Sequence, residues 1–310
     1  MIIVFGAINL DVNMLVRDFP KVGETVISPS YDMMSGGKGA NQALAAARGG
    51  VKTALVGKVG DDAAANRILN GLRRNEVMTS GVATSDFAPT GMAFIARNSK
   101  GENQITVALG ANGDVHADQV PDEILNAGNV LLLQMELPSQ ENFSLMERAK
   151  KFGTTIILNL APAFHMPQKN LELVDYLIVN EPEARMIAKE TGIPDQQNLI
   201  LVARALAAKG SLTCIVTLGA KGAVAVTKKG EGWRVPALEL AEIVDTTGAG
   251  DCFCGTFAAA IHAKLALGSA MRRASIAASL SCTKKGAQES YPYILEVEEI
   301  LETFPQAQPI

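Results

Sequence analysis

The sequence predicts an α/β protein with a central, mostly parallel sheet and helices on both of its faces. Three observations carry that expectation. Short β-branched runs alternate with Ala-rich stretches along most of the chain, the pattern of a doubly covered parallel sheet. The 310 residues suffice for one large domain with a small appendage. The composition, 48% hydrophobic and 19% charged, is that of an ordinary globular chain.

Taken in order, strands are expected at 2–5, 53–56, 130–133, 155–158, 176–179, 213–217 and 223–226. Helices are expected at 39–48, 63–74, 140–151, 182–190, 198–209, 249–263 and 270–282. Two segments break the rhythm. Residues 10–34 hold the extended-looking runs 11–16 and 24–27, and residues 91–108 read as a hairpin around Ser99, Lys100 and Gly101. Neither has a neighbouring helix to form a crossover. Together they predict a small β-sheet projecting from the main domain, either a lid or two surface hairpins without a role.

Bulk properties narrow the function. The net charge of −4, with acids and bases interspersed, argues against the basic stripe of a nucleic-acid-binding surface. No stretch approaches the roughly 20 apolar residues of a membrane span. The start, Met1 to Gly6, reads as a first strand and lacks the features of a signal peptide, so a cytoplasmic location is expected. Cys252 and Cys254 form a C-x-C pair. On a helix, residues two apart diverge, and no neighbouring His or Cys completes a metal site, so buried reduced thiols are expected along with Cys214 and Cys282.

The strongest local signal is Gly248-Ala249-Gly250-Asp251 at the start of an Ala-rich helix. Glycines let the backbone approach a ligand closely. The free N–H groups and positive dipole end of the helix then make an anion site suited to phosphate. A carboxylate there competes with phosphate unless it faces the attacking hydroxyl and accepts its proton. Otherwise Asp251 is only a first-turn acid complementing the dipole. The dinucleotide pattern G-x-G-x-x-G fails, because Phe253 stands at its last position and no fingerprint follows the first strand. A P-loop is also missing, since Lys38 and Lys221 are each followed by glycine rather than Ser or Thr.

A second glycine-rich turn, Gly36-Gly37-Lys38-Gly39-Ala40-Asn41-Gln42, also leads into a helix. Lys38 offers a point charge and Asn41 a donor–acceptor pair, equipment for gripping hydroxyls or phosphate. Asn9, Asp11, Glu136, Asn180 and Glu183 fall near expected strand ends, where ligands of open α/β sheets sit. Oxygen donors of this kind suit sugar hydroxyls or hydrated Mg²⁺. Each could equally be a helix cap or a solvated acid.

These segments together resemble the ribokinase family of carbohydrate kinases over essentially the whole chain. Further segments share the likeness: Asn9-x-Asp11, Met135-Glu136, Asn159-x-Ala161-Pro162-Ala163, Thr217-Leu218-Gly219 and Lys285-Gly286-Ala287-Gln288. The resemblance implies one ribokinase-like three-layer domain over 1–310, with a lid contributed by about 10–34 and 91–108. It implies an ATP-dependent kinase that phosphorylates D-ribose at its 5-hydroxyl, or a related kinase acting on deoxyribose, a fructose-type sugar or a nucleoside.

The residue roles it implies are as follows. Asp251 is the base, beside an anion hole of Gly248, Ala249 and Gly250. Asn9, Asp11, Gly37, Lys38, Asn41 and Glu136 hold the sugar. Asn180, Thr217, Gly219, Gly222 and the region of Ser275–Ser279 lie along ATP, and Asn180 and Glu183 organise Mg²⁺ through water. Asp245, Thr247, Ser281, Lys284, Gly286 and Ser290 surround a monovalent cation, normally K⁺. The lid often forms a homodimer interface. Outside this family, a nucleotide-dependent oxidoreductase or a non-catalytic sugar sensor are the rival classes.

Overall fold

In a computed structural model, residues 1–100, 102–194 and 197–310 are described. The strands are β1 (Ile2–Phe5), β2 (Asn9–Leu15), β3 (Tyr31–Gly36), β4 (Thr53–Gly60), β5 (Met78–Ser85), β6 (Gly91–Arg97) and β7 (Asn103–Ala108). They continue as β8 (Val130–Gln134), β9 (Thr155–Asn159), β10 (Tyr176–Asn180), β11 (Thr213–Thr217), β12 (Ala223–Val226), β13 (Gly232–Val235) and β14 (Gln308–Pro309). The helices are α1 (Lys38–Arg48), α2 (Ala63–Arg74), α3 (Ser139–Lys151), α4 (Gln168–Leu171), α5 (Glu181–Glu190), α6 (Leu199–Gly210), α7 (Ala249–His262), α8 (Leu267–Ser281) and α9 (Ile294–Leu301).

The main sheet runs β14-β13-β12-β11-β10-β9-β8-β1-β4-β5. From β5 to β11 neighbouring strands are parallel, and from β11 to β14 they are antiparallel. Successive strand side chains point to opposite faces, so the sheet divides the core in two. Ile2 and Val4 face the layer of α1, α7 and α8, packing with Leu44, Phe257 and Ile276. Ile3 and Phe5 face α3, α5 and α6 through Leu145, Ile187 and Leu206. Strand order reverses at β1, with β4 on one side and β8 on the other. The crevice at that switch point, outside the carboxyl ends of the strands, is where open α/β sheets bind ligands.

A second, four-stranded sheet runs β3-β2-β6-β7, with β2 and β6 parallel and the outer pairs antiparallel. Its make-up differs from the sequence reading at one strand. Residues 24–27 form no strand; the partner of β2 is β3, further along. Register explains the choice, because pairing begins at Asn9 with Gly36, just before α1, and residues 24–27 are left in a largely exposed loop. Of the turn expected around Ser99, Lys100 and Gly101, Gly101 lies outside the described residues.

Strands β5, β13 and β14 and helices α4 and α9 lie outside the elements expected from the sequence. Met78–Ser85 is an edge strand with few large apolar residues, and a bulge interrupts its pairing with β4 between Ala54 and Val56. Without a buried face on both sides, it lacks the continuous apolar run that marks a central parallel strand. Among the described residues, no helix is long and apolar enough to cross a membrane.

Candidate active site

The two glycine-rich turns both become helix N-termini at the crevice. Gly37 precedes α1 with φ 85° and Gly248 precedes α7 with φ 77°, conformations that side-chain-bearing residues rarely adopt. The two helices touch backbone to backbone. A Cβ on Gly255 of α7 would lie 2.4 Å from the Gln42 carbonyl oxygen of α1, so only glycine allows that approach.

This contact sets Asp251. The carboxylate is 6% exposed, and it is held from α1 on both oxygens. Gln42 Nε2 donates to Oδ1 at 2.9 Å and Asn41 Nδ2 donates to Oδ2 at 3.0 Å. Each amide is oriented in turn. Gln288 Nε2 donates to Asn41 Oδ1, Gln134 Nε2 donates to Gln42 Oε1, and Gln42 Nε2 also reaches Asn159 Oδ1. Each carboxylate oxygen keeps a lone pair free of these bonds. The aspartate is therefore aimed without being consumed.

The start of α7 supplies the anion donors. Ala249 N donates to the Thr246 carbonyl at 3.2 Å, and Cys252 N donates to the Gly248 carbonyl at 2.8 Å. Among the described residues, the N–H groups of Gly250 and Asp251 have no such partner. The uncommitted donors thus begin one residue later than the family likeness implies for Ala249. A Cβ built on Gly250 meets nothing within 4 Å, while one on Gly248 would meet Ala287 Cβ at 2.5 Å and Tyr291 Oη at 2.6 Å. Tyr291 Oη donates to the Gly248 carbonyl at 3.0 Å and pins the turn from behind.

On the other side of Asp251 lie two further acids and a lysine. Glu136 accepts the Lys38 N–H through Oε2 at 2.8 Å, so its carboxylate sits on the N-terminus of α1. Asp11 projects from β2 against Gly36, where a Cβ would lie 2.2 Å from its Oδ2. Burial, then the charges of Glu136 and Asp251, push the Asp11 carboxyl up to about 7. Burial also raises Glu136, against the opposing pull of Lys38. The Lys38 ammonium is held charged well above its ordinary range, chiefly by Asp251. Crowded carboxylates with one lysine make a pocket that accepts hydroxyl hydrogens.

Three cavities line the crevice. One of about 140 Å³ is bounded by Lys38, Asn180, Glu183, Gly248, Gly250 and Asp251. It shares Asn180, Thr217 and Gly250 with a larger one of about 750 Å³, whose walls include Gly219, Gly222, Leu238, Ile243, Phe253 and Ser275. The third, about 180 Å³, lies under the small sheet between Asp11, Asn13, Arg97, Asp245 and Gly286. Asn180 and Glu183 form a capping box at the start of α5, Asn180 Oδ1 accepting from Glu183 N and Glu183 Oε2 from Asn180 N. Burial raises the Glu183 carboxyl. Its other oxygen remains for a solvated cation. No cluster of three or more His, Cys, Asp or Glu able to hold a metal occurs among the described residues. A lone carboxylate beside an anion hole suits Mg²⁺ that keeps its waters and rides on a substrate's phosphates.

The remaining sequence candidates fall as follows. Asn9 is 3% exposed and its Oδ1 accepts from Asn112 Nδ2 at 2.7 Å, so it ties β2 to the segment after β7 and does not line a cavity. Ser275 Oγ donates to the Pro236 carbonyl at 2.6 Å. A Cβ on Gly222 would come within 2.0 Å of the Val235 carbonyl oxygen, so that glycine serves packing as well as the cavity wall. Asp245 accepts from Thr247 N and Oγ1 and from Gly286 N. Ser281 and Ser290 turn their hydroxyls onto the Ala278 and Ala287 carbonyls. Lys284 is exposed. Cys214, Cys252 and Cys254 are buried and free, and burial pushes Cys214 up to about 12.

Sequence reading missed Gln42 as a holder of Asp251, Gln134 and Asn159 as the partners that orient Gln42, Arg97 beside Asp245, Tyr291 behind Gly248, and the wall 237–243. One signal could have found part of this set. Val130–Gln134, Thr155–Asn159, Tyr176–Asn180 and Thr213–Thr217 are apolar runs that each end in a polar residue. Their register lines those ends up in pairs, Gln134 with Asn159 and Asn180 with Thr217.

Comparisons with known proteins show what the chain as a whole is similar to. The family model described as pfkB family carbohydrate kinase matches residues 1–294. A ribokinase of Haemophilus influenzae is 37% identical, over 96% of this chain and 97% of its own. A deoxyribokinase of Salmonella typhi is 34% identical, over 97% and 98%. Among solved structures, Thermotoga maritima ribokinase superposes with a TM-score of 0.89 at 31% identity, covering 97% of this chain and 99% of the other. Arabidopsis thaliana ribokinase complexed with ribose and ATP reaches 0.88 at 31% identity, covering 97% and 98%.

Proposed function

The chain belongs to the pfkB family of carbohydrate kinases, and on that footing we propose that it transfers the terminal phosphoryl group of ATP to the 5-hydroxyl of D-ribose, giving ribose 5-phosphate and ADP. The observation that carries the reading is the placement of Asp251. It stands beside the uncommitted amides of Gly250 and Asp251, between a cavity of about 750 Å³ and the half-buried acids Asp11 and Glu136. Several curated relatives at 33–37% identity are ribokinases.

Phosphoryl transfer asks for alignment and charge stabilisation more than for covalent chemistry. Asp11, Lys38, Asn41 and Glu136 hold the sugar hydroxyls. Asn41 and Gln42 keep the Asp251 carboxylate pointed at the hydroxyl that attacks, and Asp251 takes its proton as the bond to phosphorus forms. The amides at the start of α7, with the helix dipole behind them, receive the migrating group's negative charge. The larger cavity takes ATP, with Leu238, Ile243 and Phe253 against the base and Thr217 and Gly219 along the phosphates. Asn180 and Glu183 would hold Mg²⁺ through water, and the ion would supply neutralisation of phosphate charge.

The small sheet acts as a lid over the sugar. Phe94, Tyr31 and Met33 leave 41%, 63% and 40% of their surface exposed on it, and Ile105 and Val107 on the edge strand leave 54% and 46%. Apolar exposure concentrated on one appendage marks an interface, and the lid pairs with that of a second copy. Sedimentation of Phe94→Glu with Met33→Lys, two side chains that share one face of the sheet, then gives monomers where the parent gives dimers; an unchanged dimer would place the interface elsewhere.

A second acceptor is favoured by one observation, the deoxyribokinase relatives at 34% identity. ADP release measured over ribose, 2-deoxyribose, fructose and nucleosides separates the readings. Highest kcat/KM on ribose supports the first. Preference for 2-deoxyribose replaces it with the second, and no ADP release with any acceptor sinks both.

A further inference from the structure

The monovalent cation that the family likeness implies needs its only carboxylate ligand, Asp245, to be available. In this chain that carboxylate is engaged. Oδ1 accepts from Thr247 N at 3.0 Å and from Thr247 Oγ1 at 2.7 Å, and Oδ2 accepts from Gly286 N at 3.1 Å. A positive charge is also in place. Arg97 Nη2 lies 3.3 Å from Asp245 Oδ1 and donates to Thr247 Oγ1 at 3.0 Å. The Asp245 side chain is 9% exposed and that of Arg97 40%, so the pair is more sheltered than a surface ion pair. The donor set does not fit an added K⁺, which would meet an Oδ1 that already takes three donors and a resident guanidinium charge, with only the second lone pair of Oδ2 open.

We propose that the Arg97 guanidinium takes the place of the monovalent cation behind the anion hole, so that turnover needs no K⁺. The inference rests on the kinase reading. Residues 245–247 run directly into the Gly248 turn, and Ala249 N bonds the Thr246 carbonyl, so a charge fixed on Asp245 and Thr247 stiffens the loop that receives phosphate. Arginine suits the task, because it stays protonated and one terminal nitrogen, Nη2, reaches both oxygens. Arg97 is also the last residue of β6, on the lid. A second ion pair, Lys285 Nζ to Asp32 Oδ2 at 2.6 Å, joins β3 of the same sheet to the loop after α8. The charge is therefore delivered by the lid, which couples closure over the sugar to completion of the anion hole.

The test compares the full-length protein and its Arg97→Met variant in potassium chloride and in tetramethylammonium chloride at equal ionic strength. Thermal midpoint and ribose-dependent ADP release are both measured. The parent should show equal midpoints and equal kcat in the two salts. Arg97→Met should lose about tenfold in kcat in tetramethylammonium, the size of one coupling free energy. Potassium should restore that loss and raise the midpoint of the variant. A parent whose midpoint rises and whose turnover depends on K⁺ overturns the proposal, as does a variant indistinguishable from the parent in both salts. If Arg97→Met fails to fold, the parent's own response to K⁺ decides the question. Absence of turnover in either salt counts against the kinase reading alone, because the midpoints still report cation binding.

Discussion

The two glycine-rich helix starts look alike in sequence and need glycine for different reasons. At 36–39 the chain packs against itself: Cβ atoms on Gly37 and Gly39 would lie 2.6 Å from the Ala7 carbonyl oxygen and 2.3 Å from Gly6 C. At 248–250 the first glycine is crowded by Ala287 and Tyr291, yet Gly250 faces nothing within 4 Å. The first turn is locked by the protein and presents Lys38, Asn41 and Gln42 as a fixed template. The second leaves a space that the protein does not fill. A glycine crowded by backbone is there for the fold, whereas a glycine facing empty space beside free amides is there for a ligand.

The largest effect expected at the second turn is chemical. Asp251→Asn should lower kcat at least about a hundredfold with little change in ribose affinity, since it removes the proton acceptor and leaves the sugar template intact. Turnover near that of the parent would exclude Asp251 as the base.

The glycines break the comparison directly. Gly39→Ala should cost about 1–3 kcal/mol of stability, because backbone on both sides cannot yield to the methyl group. Gly250→Ala should leave the thermal midpoint unchanged while kcat/KM for ATP drops about tenfold or more, as the methyl enters the space meant for phosphate. Equal loss of stability in both variants would erase the distinction between the turns.

The sharpest test of the template side is pH. Burial, then the charges of Glu136 and Asp251, push the Asp11 carboxyl up to about 7. Sugar hydroxyls that donate to it favour its charged form, so binding releases a proton. Affinity for ribose therefore rises with pH up to about 7 and levels off above. The dissociation constant should be about tenfold larger near pH 6 than near pH 8, and Asp11→Asn should flatten the profile. A flat profile in the parent would remove Asp11 from the sugar contacts.

The layers and the two helix starts were legible in the residues alone. Val130–Gln134 and Thr155–Asn159 are apolar runs of strand length, too short for a helix and matching a strand buried on both faces, and the glycines before α1 and α7 announce turns whatever the surroundings. Such features are local, set by periodicity and by the steric freedom of one residue. Tertiary structure alone decided which oxygens and amides meet. Gln42 reaches Asp251 across 209 positions of chain and Arg97 reaches Asp245 across 148, distances over which no spacing rule operates. The strand at 31–36 was likewise chosen over 24–27 by register with β2, a pairing between segments that propensity alone does not rank.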